Sequence, residues 1–303
     1  MIVARTIALV ILGSLVAAAA LVPPFFLDCV VAIGHDEIQV DTGGRPAPTW
    51  VTEASGFFYG EFASKVDDKL NNYRIFLVTN RHVIQNHNEI VVRVNPKAAG
   101  RAKEYHLPLN DPQGRPAWYG HPDSTVDLIV IPINAQHLKD EGIQFNFFQS
   151  DQHVADRTKA KELGLSAGDG VFFLGFPMGL AGGERNYVIV RQGCIARIED
   201  VLNVSSTNTF LIDGFTFPGN SGGPVVLAVS LNSIEGTQSQ NRSYLIGVVK
   251  GFLGYQDIAF SKQTGRPRIT FEENAGLTEV IPVDYVEQTV QVAMKATAGQ
   301  PGN

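Results

Sequence analysis

Cysteine is almost missing from this chain: Cys29 and Cys194 are its only two in 303 residues. Two cysteines cannot make a disulfide framework, so the fold must rest on its core. Each sits in an apolar, strand-like run, CVVAIG and GCIARI, where a buried free thiol is the ordinary state. A single bridge stays open for an exported chain, because it depends on a Cα separation that spacing does not fix. Neither cysteine has ligand spacing with a histidine, which argues against a zinc site. Blocks of Lys or Arg are missing too, and the net charge of -6 is spread along the chain. Nucleic-acid binding therefore lacks electrostatic support. No period of about 20–50 residues and no low-complexity tract occurs, which sets repeat architectures aside.

What is present is apolar and turn-rich. Hydrophobic residues make up 44%, with 30 glycines and 16 prolines, a globular composition rather than a disordered one. The first long feature is IALVILGSLVAAAALVPPFFL, residues 7–27, uncharged and preceded by Arg5. A basic start, an apolar core and Ala18-x-Ala20 fit a secretory signal cleaved near Ala20. The run is also long enough for an uncleaved membrane anchor, with Pro23 and Pro24 ending its helix. Residues 1–27 are expected to be a signal peptide or anchor. Either way export is expected, with membrane contact only through this segment if it is uncleaved.

Beyond it, residues 28–303 read as one domain of strands and turns. A first group comprises residues 29–34, 50–62, 73–79, 88–95 and 126–133. A second comprises 170–176, 186–198, 209–215, 224–230 and 243–252. Between them ADRTKAKELG (155–164) is polar and helix-favouring, with Gly164 as its stop. The expected layout is barrel 1 over about 28–140, a linker over about 141–168, and barrel 2 over about 169–303. Val286, Val290, Ala293 and Met294 recur at helical spacing and close the second unit with an amphipathic helix. Only nine residues follow Met294, so no further domain is expected after that helix.

The stretch FPGNSGGPVV, from Phe217 to Val226, crowds glycines around one serine directly before a strand. Glycine weakens strands, so the cluster is either a tight turn or a loop whose N–H groups converge on an anion at Ser221. The second reading needs a base. Of seven histidines, only His82 follows a buried-looking strand, in FLVTNRHVI, at a strand-to-helix corner suited to a general base. His87, in QNHNE, reads as a solvated loop residue. For the orienting carboxylate, Asp127 opens the apolar strand VDLIVIPI, though it also suits a cap on nearby N–H groups. Asp123 reads as solvated, and Asp213, in FLIDGF, is the rival.

The order His82, Asp127, Ser221 is one of the arrangements of the Ser-His-Asp triad, the one carried by paired β-barrels. TNRHVI, VDLIVIPI and PGNSGGPVV resemble the three site motifs of chymotrypsin-like serine peptidases in their bacterial Deg/HtrA-type branch. ASGFFYG and LTEVIPVDYVEQTV resemble that branch as well. The resemblance covers the layout of residues 28–296, except the loops at 61–72 and 253–276. It implies an all-β, chymotrypsin-like double β-barrel with a C-terminal helix, preceded by the N-terminal hydrophobic segment.

The resemblance also implies a serine endopeptidase acting on proteins or peptides, without metal or organic cofactor. In it Ser221 is the nucleophile, His82 the base and Asp127 its orienter, with the N–H groups of Gly219 and Ser221 as oxyanion hole. Phe215 would line the base of the S1 pocket, or else pack in the barrel core. Lys250 and Gly251, on SYLIGVVKGF, would form the wall that pairs with substrate main chain. Two departures matter. Asn220 stands where digestive enzymes carry an acid that pairs with a freed N-terminus, and the C-terminal PDZ domains of many Deg/HtrA members are not expected. The rival readings are a catalytically silent double-barrel binding scaffold and an esterase, the latter more usually built on G-x-S-x-G.

Overall fold

The structure is a computed structural model and describes residues 21–40, 44–67, 71–204, 207–230, 239 and 241–297. The first half of the chain builds one sheet. Its strands are β1 (Val30–Val40), β2 (Pro46–Lys65), β3 (Asn71–Thr79), β4 (Glu89–Val94), β5 (Lys103–Pro108), β6 (Tyr119–Gly120) and β7 (Ile129–Pro132). They lie in the order β5-β4-β1-β2-β3-β7-β6, and the two-residue β8 (Phe148–Gln149) adds to β2 in parallel. This sheet curls without closing, a half-barrel.

The second half closes. β9 (Gly170–Gly175), β10 (Ile189–Arg197), β11 (Phe210–Asp213), β12 (Pro224–Leu227), β13 (Leu245–Phe260) and β14 (Pro267–Pro282) form a barrel in the order β10-β11-β14-β13-β12-β9. Short helices α1 (Pro24–Leu27), α2 (Arg81–Ile84), α3 (Ala135–Asp140), α4 (Arg157–Glu162) and α5 (Glu199–Asn203) punctuate the strands. The long α6 (Val283–Thr297) ends the described chain. The architecture is the expected all-β, chymotrypsin-like double barrel with a C-terminal helix, its first barrel left open.

Three apolar cores explain the sequence pattern. The run Ile75–Thr79 of β3 is buried at every residue, because both faces of the strand are covered. Ile75 and Leu77 point into the first sheet's interior. Phe76 and Val78 point into a seam shared with Val226, Val248 and Ile281 of the second barrel. Phe173, Phe210, Val225 and Val249 fill the second barrel itself. α6 lays Val286, Val290 and Ala293 into the seam, as its helical spacing predicts. Asp156 caps α4 by accepting from the Lys159 N–H, and Gly164 ends it at φ 68°.

Val22 and Phe26, the end of the apolar run 7–27, are buried in the seam core. The earlier part of that run, with the expected cleavage position, lies outside the described residues. Among the described residues no helix is long and apolar enough to cross a membrane. Both cysteines are free, Cys29 buried and Cys194 partly so.

Candidate active site

His82 enters the site from a corner that the sequence dictates. β3 is carried to Thr79 by burial on both faces, and the chain then turns into the single helical turn of α2 through the buried Asn80. Asn80 does not cap that turn with its own side chain. Its amide instead donates to the Asp127 carbonyl at 2.9 Å, which pins the approach to β7 beside α2. From there one carboxylate makes two contacts: Asp127 Oδ1 accepts the His82 backbone N–H at 2.9 Å, and Oδ2 lies 2.5 Å from His82 Nδ1. Both the helical turn and the imidazole are thus oriented by Asp127. The carboxylate side chain is 19% exposed and the histidine side chain 44%, so the imidazole is held from behind and open in front.

Asp127 therefore both caps an N–H group and holds the ring. The rival Asp213 lies elsewhere, with an exposed side chain at the end of β11, paired with Cys194 and Leu277. The described strand β7 begins at Ile129, two residues after Asp127.

Ser221 comes from the second barrel, on the loop that leads into β12. Gly219 and Gly222 adopt φ of 98° and 81°, a region that a side chain rarely occupies. Space forbids a side chain as well. A Cβ on Gly219 would lie 2.3 Å from the Phe176 carbonyl oxygen, and one on Gly222 2.2 Å from that of Ser55. The loop is tied down by its own N–H groups: Asn220 to Phe217 O, Gly222 to Val249 O and Gly223 to Asn220 O, each at 2.9 Å. Among the described residues, the N–H groups of Gly219 and Ser221 enter none of these bonds. The Ser221 hydroxyl donates to the Lys250 carbonyl at 3.2 Å, and no hydrogen bond joins it to His82. The structure brings His82 and Asp127 into contact; Ser221 stands apart from both in hydrogen bonding.

Phe215 is half exposed, at 50%, and its ring faces Gly276; it does not pack in the barrel core. Lys250 is salt-bridged to Glu279 at 3.0 Å. Gly251 pairs with Glu279 across β13 and β14, while β12 stops pairing with β13 at Val248. A cavity of about 210 Å³, bounded by β1 and residues 186–188, contains none of His82, Asp127 or Ser221.

Ser55 is the residue whose part the sequence does not disclose. From β2 its Oγ donates to the Gly219 carbonyl at 2.7 Å and accepts the Phe176 N–H at 3.0 Å. Its backbone N–H donates to the Ser221 carbonyl at 2.9 Å, and Thr79 Oγ1 donates to its own carbonyl at 2.9 Å. One serine of the first sheet thus clamps the Ser221 loop of the second. The signal lies in Ala54-Ser55-Gly56, three small residues directly before the aromatic run Phe57-Phe58-Tyr59, where backbones approach closely. His87 is corrected: its side chain is 25% exposed, with Nε2 3.3 Å from Glu53 Oε2, so it faces a neighbouring strand and not open solvent.

In fold this is a chymotrypsin-like double barrel, with a carboxylate-held histidine on one half and a glycine-looped serine on the other. The chain belongs to the trypsin-like peptidase domain family, whose description matches residues 54–229, more than half of its length. No curated protein matches it. Among solved structures it is similar to the HtrA-type protease AlgW, determined with a decapeptide, at 17% identity and a TM-score of 0.47. That match covers 88% of this chain and 65% of the AlgW chain. It is also similar to the MamO protease domain from Magnetospirillum magneticum in its apo form, at 15% identity and a TM-score of 0.45. Here 87% of this chain and 96% of the other are covered.

Proposed function

We propose that this trypsin-like peptidase is a serine endopeptidase that cleaves proteins or peptides through His82, Asp127 and Ser221. The observation that carries the reading is the double contact of Asp127 with the backbone and ring of His82. That contact selects the imidazole tautomer with hydrogen on Nδ1 and leaves Nε2 to accept a proton. The Ser221 hydroxyl rotates off the Lys250 carbonyl, gives its proton to His82 Nε2, and Oγ attacks the scissile carbonyl. His82 then passes the proton to the leaving amine, and water releases the acyl group by the same route. The negative charge formed on the carbonyl oxygen is met by the N–H groups of Gly219 and Ser221. Each such donor contributes about 3 kcal/mol to the transition state.

Substrate main chain pairs beside Lys250 and Gly251, where β13 runs past the end of β12. Phe215 offers the adjoining side-chain subsite an apolar surface, and the Glu279 carboxylate beside it is already paired with Lys250. Burying an unpaired Arg or Lys there costs several kcal/mol, so cleavage follows Ala, Val or Leu in preference. Export through residues 1–27 belongs to the same reading and rests on the sequence of that segment.

A fluorophosphonate probe tests the chemistry. Covalent labelling mapped to Ser221, lost in His82→Ala, is expected; an unlabelled Ser221 in folded protein overturns the reading. A catalytically silent scaffold is the second reading, favoured by the bond from Ser221 to the Lys250 carbonyl, and it predicts that null result. Casein turnover in excess of ester turnover separates peptidase from esterase.

A further inference from the structure

His35 on β1, Glu53 on β2 and His87 just past α2 come together although 52 residues of sequence separate the first from the last. Glu53 Oε2 lies 3.0 Å from His35 Nδ1 and 3.3 Å from His87 Nε2, and the three ligand atoms all lie within 4.8 Å of one another. Yet His35 Nδ1 is screened from solvent and makes no hydrogen bond among the described residues. Two ring nitrogens thus converge on one carboxylate oxygen, one of them without a hydrogen bond among the described residues.

The backbone builds this convergence on purpose-made irregularities. The register between β1 and β2 slips at Ile33/Gly34, where Ile33 pairs with Ala54 and Gly34 with Thr52. Glu53 is the extra residue of that bulge, the device that re-aims a side chain. Gly34 is needed there, because a Cβ would meet the Val51 carbonyl oxygen at 1.9 Å. On the other side Asn86 takes φ 68°, a left-handed turn that asparagine tolerates, and brings His87 back toward the sheet.

We propose that His35, Glu53 and His87 form a binding site for a zinc-type divalent cation. Zinc–nitrogen bonds of about 2.0–2.1 Å in a tetrahedron set ligand atoms about 3.3–3.4 Å apart, the spacing Glu53 makes with His87 and nearly makes with His35. A ligating histidine ordinarily gives its second ring N–H to a carboxylate. His35 does so: Nε2 lies 3.2 Å from Glu37 Oε1 in hydrogen-bond geometry. Two imidazoles and a carboxylate suit zinc over the harder Mg²⁺ and Ca²⁺, and water completes the fourth position. The expectation against zinc considered pairings with cysteine; this donor set uses none. The bound ion crosslinks the bulge, two residues from Ser55, to the turn five residues after His82.

The test uses the untagged full chain, stripped with EDTA and titrated with Zn²⁺ by calorimetry, and with Co²⁺ by visible absorption. One equivalent of Zn²⁺, the absorption of tetrahedral Co²⁺ and a Zn²⁺-dependent rise in Tm are expected. His35→Ala and His87→Ala each weaken binding more than about 100-fold, the upper range for a supporting residue alone. His106→Ala, at the nearby exposed pair with Glu89, leaves it unchanged. Should an alanine variant not fold, His87→Gln replaces it. Absence of stoichiometric uptake by the parent, or uptake that survives substitution of His35 or His87, overturns the site.

Discussion

The two barrels hold their halves of the site by different means. The open first sheet presents His82 through side chains: Asp127 grips the ring and its backbone, and Asn80 grips the Asp127 segment. The closed second barrel presents Ser221 through main chain, on a loop whose glycines let carbonyls approach within distances that no Cβ permits. A base must be oriented and made tautomer-specific, which takes a charged acceptor. An oxyanion site needs N–H groups in fixed positions, which takes backbone geometry. The two halves should therefore break differently, the first by isosteric changes of chemistry and the second by added volume.

The largest effect is expected at the two side chains proposed to react. Ser221→Ala and His82→Ala each lower kcat by about 10⁶-fold, and the double variant loses little more, as for residues that act as a unit. Multiplicative losses in casein or peptide assays would separate the halves. Next comes Asp127→Asn. Its Oδ1 still accepts the His82 N–H, but an amide facing Nδ1 selects the wrong tautomer, so kcat falls about 10⁴-fold while circular dichroism stays unchanged. Near-normal turnover would remove Asp127 from the site.

In the second barrel, Gly222→Ala places a methyl against the Ser55 carbonyl at a positive φ. A cost of about 1–3 kcal/mol is expected, read as a lowered denaturant midpoint together with lost fluorophosphonate labelling. Ser55→Ala lies between the barrels, deleting a donor to Gly219 O and the acceptor for the Phe176 N–H. It costs about 1–3 kcal/mol and lowers kcat with little change in KM. If KM alone moves, the clamp bears on binding and not on the loop's shape.

The smallest effect belongs to the helix that closes the seam. Burial, and then the charges of Asp156, Asp284 and Glu61, push the Glu287 carboxyl up to about 8. Below its ordinary value of 4.5 the group is protonated in both folded and unfolded chains. Between that value and about 8 the folded chain keeps a proton that the unfolded chain gives up, so stability falls as pH rises through this window. Glu287→Gln should raise Tm by about 2–4 °C at pH 8 and have little effect near pH 4.5. An equal shift at both pH values would trace the gain to packing.

Strands with a buried face were legible because burial leaves a pattern. Residues 75–78 and 170–176 are apolar throughout, and the runs 73–79 and 170–176 match β3 and β9 within one or two residues. The distal parts of β13 and β14 were not legible. Residues 255–260 and 267–273 are exposed on both faces, so no core imposes alternation on them and they read as loop. The short β6 and β8 were missed for a related reason. Two residues cannot show a period, and their pairing depends on strands far away in sequence.

Local residue pattern is enough to set the geometry of each half-site. Buried β3 leading into Asn80 placed His82 at a corner, and the glycines around Ser221 demanded a loop that no ordinary strand could provide. It also marked Asp127, as an acid at the mouth of an apolar segment. The partnerships come from the folded chain alone: Asp127 with His82, Ser55 with the Ser221 loop, Glu53 with His35 and His87. Those contacts join residues 18 to 166 positions apart. They follow from strand register, a bulge and the docking of two barrels, which the packing of the whole chain fixes and no short stretch encodes.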